Sequence, residues 1–205
     1  IYFMNLDNQN LKWKLCEAYF SILNMGTTSK ISLDQLCLKA NISKDEATKI
    51  VPNNSMDYRI FFLRILISKL DTEVFIELKA DLADDNISST YDKILEGLSL
   101  RFEKYLQYKE PLRFLSSNSK QRTEVFLKVF KENYNFSSNL LTLIEEDQKC
   151  GIKTLKSLAL NVVFIKGLEI FLTDESNDID SVMRYLDKYL SDIKDIGVLM
   201  GIIKK

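Results

Sequence analysis

Apolar side chains recur along the whole chain at intervals of three and four, the repeat that gathers one face of an α-helix, and this periodicity predicts an all-α fold. The first such segment, about Gln9 to Met25, brings Leu11, Leu15, Ala18, Tyr19 and Ile22 onto one stripe, with Trp13 at its edge and Gly26 as a C-terminal stop. Two short helices follow, each opened by a capping box. Ser32-x-x-Gln35 starts one that carries Leu33, Leu36 and Cys37 and closes near Ala40; Ser43-x-x-Glu46 starts another that ends before Pro52. Joined by Ala40-Asn41-Ile42, they make a helix-turn-helix pattern.

Beyond the loop Pro52-Asn53-Asn54, Ser55 is placed to cap a long helix to about Lys79. That helix is apolar on nearly every side through Ile60, Phe61, Phe62, Leu63, Ile65, Leu66, Leu70 and Val74, the mark of a helix buried among others. The polar stretch Asp81 to Asn86 breaks the chain before a helix capped by Ser88 or Ser89, whose stripe runs Tyr91, Ile94, Leu95, Leu98, Phe102, Tyr105 and Leu106. Pro111 suits the first turn of a short helix through Leu115. A helix from about Lys120 to Tyr134 carries Val125, Phe126, Val129 and Phe130, a further stretch begins near Ser138, and Gly151 breaks it. Lys153 to Leu172 is apolar on two faces, and Ser181 to Ile193 returns to one stripe of Val182, Met183, Leu186, Leu190 and Ile193. The expected organisation is a helix-turn-helix unit over residues 4–54 and a larger helical body over residues 55–205, and the two prolines and six glycines leave little punctuation for a sheet.

Composition narrows the chemistry. With no histidine there is no Ser-His or Cys-His nucleophile pair and no imidazole base. The adjacent acids Asp84-Asp85 and Glu145-Glu146-Asp147 read as solvated faces, and neither a phosphate-binding glycine loop nor a metal cluster is present in the sequence. The expectation is a protein that is not an enzyme, with no cofactor and no metal. Cys16, Cys37 and Cys150 are odd in number and lack a C-x-x-C spacing, which suits small buried hydrophobes in a cytoplasmic protein. No apolar run reaches the roughly 18 to 20 residues of a membrane span, so no stable membrane insertion is expected. The tail Ile196 to Lys205, apolar with terminal lysines, is expected to pack on the body or a dimer mate, or to lie on a membrane surface.

The order of elements, one helix, a helix-turn-helix and a long helical body, resembles the tetracycline-repressor family of transcriptional regulators. The segment Ile31 to Lys44 looks like that family's second helix, turn and recognition-helix start, and Val163-Phe164-Ile165-Lys166-Gly167-Leu168 is similar to its late dimerisation helix. The resemblance implies a homodimer that binds a double-stranded DNA operator and a small apolar effector. Where the family's recognition helix carries tyrosine, phenylalanine and lysine, this chain has Thr48, Val51 and Asn54, and Asp45 and Glu46 stand near the helix start. A second family on the same fold, the lipid-binding accessory proteins of ubiquinone biosynthesis, is resembled by Leu172 to Asp178, Met183 to Ile193, Arg101-Phe102-Glu103 and Lys109-Glu110. There the implied partner is a lipid, without DNA binding.

Charge bears on the choice. Residues 4 to 57 hold six lysines, Lys12, Lys14, Lys30, Lys39, Lys44 and Lys49, against six acids, Asp7, Glu17, Asp34, Asp45, Glu46 and Asp57, a net of zero. A basic face remains open to Lys30, Lys44 and Lys49, and the candidate DNA contacts are Lys30, Ser43, Lys44, Thr48 and Lys49. Candidate ligand-lining residues are Phe62, Leu66, Leu98, Phe102, Phe126, Phe130 and Phe164, with plain core packing as the alternative for each. No lysine or arginine is read on those inward stripes, so the expected ligand is aromatic, acyl or isoprenoid. Candidate dimer contacts are Leu160, Gly167, Leu168, Met183, Leu186 and Leu190.

Overall fold

The computed structural model describes residues 2–26, 30–54, 58–83, 85, 87–117, 122–144 and 150–199, with side chains described for 8–26, 30–54, 58–83, 85, 87–117, 123, 125–144 and 151–193. Among the described residues every regular element is an α-helix: α1 (Tyr2–Asn24), α2 (Leu33–Ala40), α3 (Lys44–Thr48), α4 (Tyr58–Leu82), α5 (Thr90–Leu106), α6 (Lys109–Ser117), α7 (Arg122–Ile144), α8 (Cys150–Thr173) and α9 (Asp180–Leu199). The fold is all-helical. None of these helices is long and apolar enough to cross a membrane.

The chain divides into two compact units, residues 1–69 with 110–128, and residues 70–109 with 129–205. In the first, Tyr19 stacks on Phe62 at 4.8 Å between ring centroids and Tyr58 meets Phe62 edge-on at 5.8 Å, so α1 and the first half of α4 share one aromatic core. The Cys16 thiol donates to the Phe62 carbonyl at 3.4 Å; burial pushes its pKa far up, which suppresses the reactive thiolate. Cys37 is buried as well. Trp13 lies at the rim of this core, with Lys69 Nζ 5.9 Å from its ring.

In the second unit Phe102 stacks on Phe164 at 4.6 Å and packs on Phe171 at 5.6 Å, joining α5 to α8. Close approach needs small residues at two points. A Cβ on Gly97 would come within 2.7 Å of Leu140, and one on Gly167 within 3.1 Å of Phe102. Tyr91 links α5 to α9 by donating its hydroxyl to the Asp187 carboxylate at 2.7 Å.

Several elements depart from the sequence expectation, among them α1, which starts at Tyr2 where about Gln9 is expected, and α9, which runs to Leu199 where Ile193 is expected. Helix α7 runs unbroken from Arg122 to Ile144 where a break after Tyr134 is predicted, because Phe136, Ser137, Leu140 and Leu141 continue its buried face. Gly151 lies in the first turn of α8, where its missing side chain costs little, and α8 begins at Cys150. Helix α4 extends past Lys79 to Leu82. The proposed cap Ser55, the acids Asp84, Glu145, Glu146 and Asp147, and the end of the tail, 200–205, fall outside the described residues, and of Cys150 and 194–199 only the backbone is described.

Candidate functional site

The helix-turn-helix is built by local chemistry. Ser32 Oγ accepts the Gln35 N–H at 3.2 Å while Gln35 Oε1 accepts the Ser32 N–H at 2.8 Å, which satisfies donors that the start of α2 leaves bare. Ser43 and Glu46 repeat the box at α3. Between them Asn41 takes the left-handed conformation, φ 53°, one of the few that end a helix and reverse the chain sharply, and asparagine tolerates it better than most residues. Leu36, Cys37, Ala47 and Val51 turn inward and hold the pair in the first unit's core. The five residues of α3 give an axial length of about 7.5 Å.

The five candidate DNA contacts are all exposed, but three are engaged within the chain. The Ser43 hydroxyl donates to the Glu46 carboxylate at 2.5 Å, and Thr48 donates to the Asp45 carbonyl at 3.1 Å. Lys44 Nζ pairs with Asp34 at 2.8 Å, and that hydrogen bond and charge raise the lysine's pKa. The Ser43 hydroxyl and N–H hold the Glu46 carboxyl below its usual range, so it stays an anion at the start of α3. Lys30, ahead of α2, and Lys49, at the end of α3, are exposed. Two of the six acids that offset the lysines of this unit thus have structural work: Glu46 caps the helix, and Asp34 holds Lys44.

The seven candidate ligand residues are distributed over both units. Phe62, Leu66 and Phe126 belong to the first unit, and Leu98, Phe102, Phe130 and Phe164 to the second. Phe126 is 49% exposed, because the buried face of α7 passes through Val125 and Phe136 and turns Phe126 outward. Phe62, Leu66, Leu98, Phe102 and Phe164 are buried, and Phe130 is half-buried.

The expectation of an inward surface without cations is overturned. Arg101, on the Leu98 to Tyr105 stripe of α5, is 1% exposed. Its Nε donates to Asp71 Oδ1 at 2.7 Å and its Nη2 to Asp71 Oδ2 at 3.0 Å, a two-pronged carboxylate contact, while Nη1 donates to Asn133 Oδ1. The guanidinium also lies 4.1 Å from the Phe136 ring centroid and 4.4 Å from that of Phe164. Burial pushes the Asp71 carboxyl above its ordinary pKa, against the opposing pull of Arg101. Lys109 is buried too, donating to the Ser176 carbonyl at 2.6 Å and lying 5.0 Å from the Phe171 ring centroid. Neither cation stands out by composition. The available signal is position: a charged residue on an apolar helical stripe with a carboxylate, Asp71, set among apolar neighbours on another helix.

No family model and no curated protein matches this chain. Its residues therefore carry the functional argument alone.

The candidate dimer contacts lie mostly inside the chain. Leu160, Leu186 and Leu190 are buried in it, Gly167 is pressed on Phe102 and lies 3.7 Å by its would-be Cβ from Leu186, and Leu168 and Met183 are half-buried. What α8 leaves outside is its other face: Leu155 is 54% exposed, Leu158 40% and Val162 58%, spaced by three and four on one stripe. The stripe continues to Lys166 and Glu169, an exposed pair at 2.9 Å. Among the described residues no group of three or more metal-ligating side chains converges.

Proposed function

We propose that the chain is a ligand-responsive transcriptional regulator of the tetracycline-repressor kind, a cytoplasmic homodimer whose helix-turn-helix binds a double-stranded DNA operator. The observation that carries this reading is the α2–α3 unit, two capped helices joined through the left-handed Asn41 and seated in a packed core, an arrangement suited to offering a short helix to a major groove. Affinity in such a contact comes chiefly from lysines meeting phosphates. Lys30 and Lys49 are exposed for it, and Lys44 joins by exchanging the Asp34 carboxylate for a phosphate. The second unit, with Leu98, Phe102 and Phe164 at its centre, is the proposed seat of the small ligand. The dimer contact is assigned to the outer face of α8, since in a two-fold arrangement Leu155, Leu158 and Val162 meet their own copies.

The test is duplex DNA binding by fluorescence anisotropy, on genomic fragments, across a salt series. Asp34→Asn should spare Lys44 that exchange and tighten binding without adding a phosphate contact, and Lys49→Ala should flatten the slope of log affinity against log salt by about 0.9, one phosphate contact. Wild-type protein that binds no duplex at low salt removes the reading. The five-residue α3 with the acidic residues Asp45 and Glu46 in its first turn favours a second one, an apolar-lipid carrier on the same framework that no longer reads DNA. Native mass spectrometry with bound acyl or isoprenoid lipid, together with absent DNA binding, is its signature.

A further inference from the structure

Among the described residues the second unit holds four buried polar side chains with an atom that no protein group satisfies: Asn133 Nδ2, Ser137 Oγ, Ser157 Oγ and Asn161 Oδ1. All four residues are at most 1% exposed. They come from two helices, Asn133 and Ser137 one turn apart on α7, and Ser157 and Asn161 one turn apart on α8. Two hydrogen bonds fix how these helices run past each other. Asn161 Nδ2 donates to the Phe130 carbonyl at 3.2 Å, and Lys153 Nζ donates to Thr142 Oγ1 at 2.5 Å. The helices are antiparallel, and the two bonds bracket Ser157 on one and Asn133 with Ser137 on the other. The four orphaned atoms therefore lie along one seam.

The chemistry of the seam is determined by its neighbours. Arg101 has only donors, so Asn133 must turn its oxygen to the guanidinium, which leaves its amide N–H groups bare. The Phe130 carbonyl only accepts, so Asn161 must give it the amide nitrogen, which leaves the oxygen bare. One fixed donor and one fixed acceptor result, flanked by two hydroxyls able to play either part. The buried charge beside Asn133, Arg101, is already matched by Asp71, and Lys153, at the end of the seam, is bonded to Thr142, so the buried stretch between offers no uncompensated charge to an ion. Buried polar atoms in folded proteins are almost always partnered, and four without a protein partner along one seam mark a place whose partners are not side chains.

Resting on the reading that the second unit takes a small molecule, we infer that the α7–α8 seam is a recognition site for an uncharged ligand bearing a hydrogen-bond acceptor and donor side by side, a carboxamide or hydroxy-ketone, on an apolar body. The acceptor of the ligand meets Asn133 Nδ2 and its donor meets Asn161 Oδ1. Charged analogues are excluded, because an anion or cation buried there has no counter-charge to meet.

The probes are benzamide, benzoate and ethylbenzene, three compounds of similar body that differ in the polar group, titrated into the full chain by thermal melting and calorimetry. Benzamide should raise the melting temperature of the wild type more than ethylbenzene, and benzoate should leave it unchanged. In Ser137→Ala/Ser157→Ala the benzamide dissociation constant should rise about tenfold, with ethylbenzene unaffected, and the variant without probe should melt no lower than wild type. Asn161→Leu should abolish the preference for benzamide; the double alanine variant carries the test should Asn161→Leu fail to fold. Equal binding of benzamide and ethylbenzene in wild type and variant overturns the inference and leaves the ligand reading standing. A double alanine variant that melts below wild type without probe also overturns it, since its hydroxyls then have partners in the free protein, ordered water included. If neither benzamide nor ethylbenzene shifts the wild-type melt, the ligand reading falls and takes the inference with it.

Discussion

Replacing Arg101 by methionine, which keeps much of the volume and removes the charge, isolates what the buried guanidinium contributes. The substitution leaves Asp71 facing the interior with neither of its two guanidinium contacts, and it strips Asn133 Oδ1 of a donor. Breaking a buried ion pair from one side costs about 3 to 5 kcal/mol, because the surviving charge stays desolvated. Loss of the stacking on Phe136 and Phe164, at 4.1 and 4.4 Å, adds to this in the same direction. At roughly 2 to 4 °C per kcal/mol for a chain of this size, the melting transition of the second unit should fall by about 6 to 20 °C.

The pH dependence separates an ion-pair loss from a packing loss. Burial raises the Asp71 carboxyl in the folded protein, and Arg101 pulls the other way, so removing Arg101 raises it further. A folded-state pKa above the unfolded value means that the folded state binds the extra proton. Stability is then highest below the unfolded value and declines as pH rises through the window up to the folded value. The deficit of Arg101→Met should therefore narrow on acidification from pH 7 toward about pH 4, as Asp71 takes up its proton. Adding Asp71→Asn should recover part of the loss at neutral pH. Calorimetric melts across pH provide the measurement. A variant melting within about 2 °C of wild type at neutral pH, or a gap that widens on acidification, would refute the argument from a buried ion pair.

Two further outcomes follow from exposed groups. Leu155→Lys with Val162→Lys should convert a dimer to a monomer in light scattering while leaving the helical circular dichroism unchanged, since both side chains point away from the core; a wild type already monomeric at micromolar concentration removes the α8 contact. The N–H groups of Ser88 and Ile87 hold Asp85 down to about 2, and the Ser176 N–H does the same for Asp174. With folded values below the ordinary carboxylate pKa, their contribution is present above about pH 4 and lost as pH falls through about 2, so Asp85→Asn and Asp174→Asn should flatten the melting curve over that interval.

The parts of the fold legible in the sequence are those encoded within a few residues. The boxes at Ser32 and Ser43 are local hydrogen-bond arrangements, and each helix starts where its box stands; at α5, where Ser88 and Ser89 both read as caps, Ser89 is the one that caps. The continuity of α7 is not local. The break expected between Tyr134 and Ser138 does not occur: Asn133, Phe136, Ser137 and Leu140 are buried together, and tertiary packing overrides the weak helix preference of Asn135 and Ser137.

Helix α8 shows the same division between periodicity and partnership. Its apolar residues cover two faces, so periodicity identifies a helix that is contacted twice without saying which contact is with its own chain. Leu160, Val163, Phe164, Gly167 and Phe171 are buried in the chain itself, and Leu155, Leu158 and Val162 stand exposed. The polar members of the buried set are the more informative ones. Ser157 and Asn161 sit on the inward face at the spacing of one turn, where alanine and leucine would pack without leaving an unpaired atom, and Arg101 and Asn133 sit likewise on their own helices. Apolar residues at helical spacing account for a fold; polar residues at the same spacing, facing the same way, require a partner, and Asp71 supplies one for Arg101 alone.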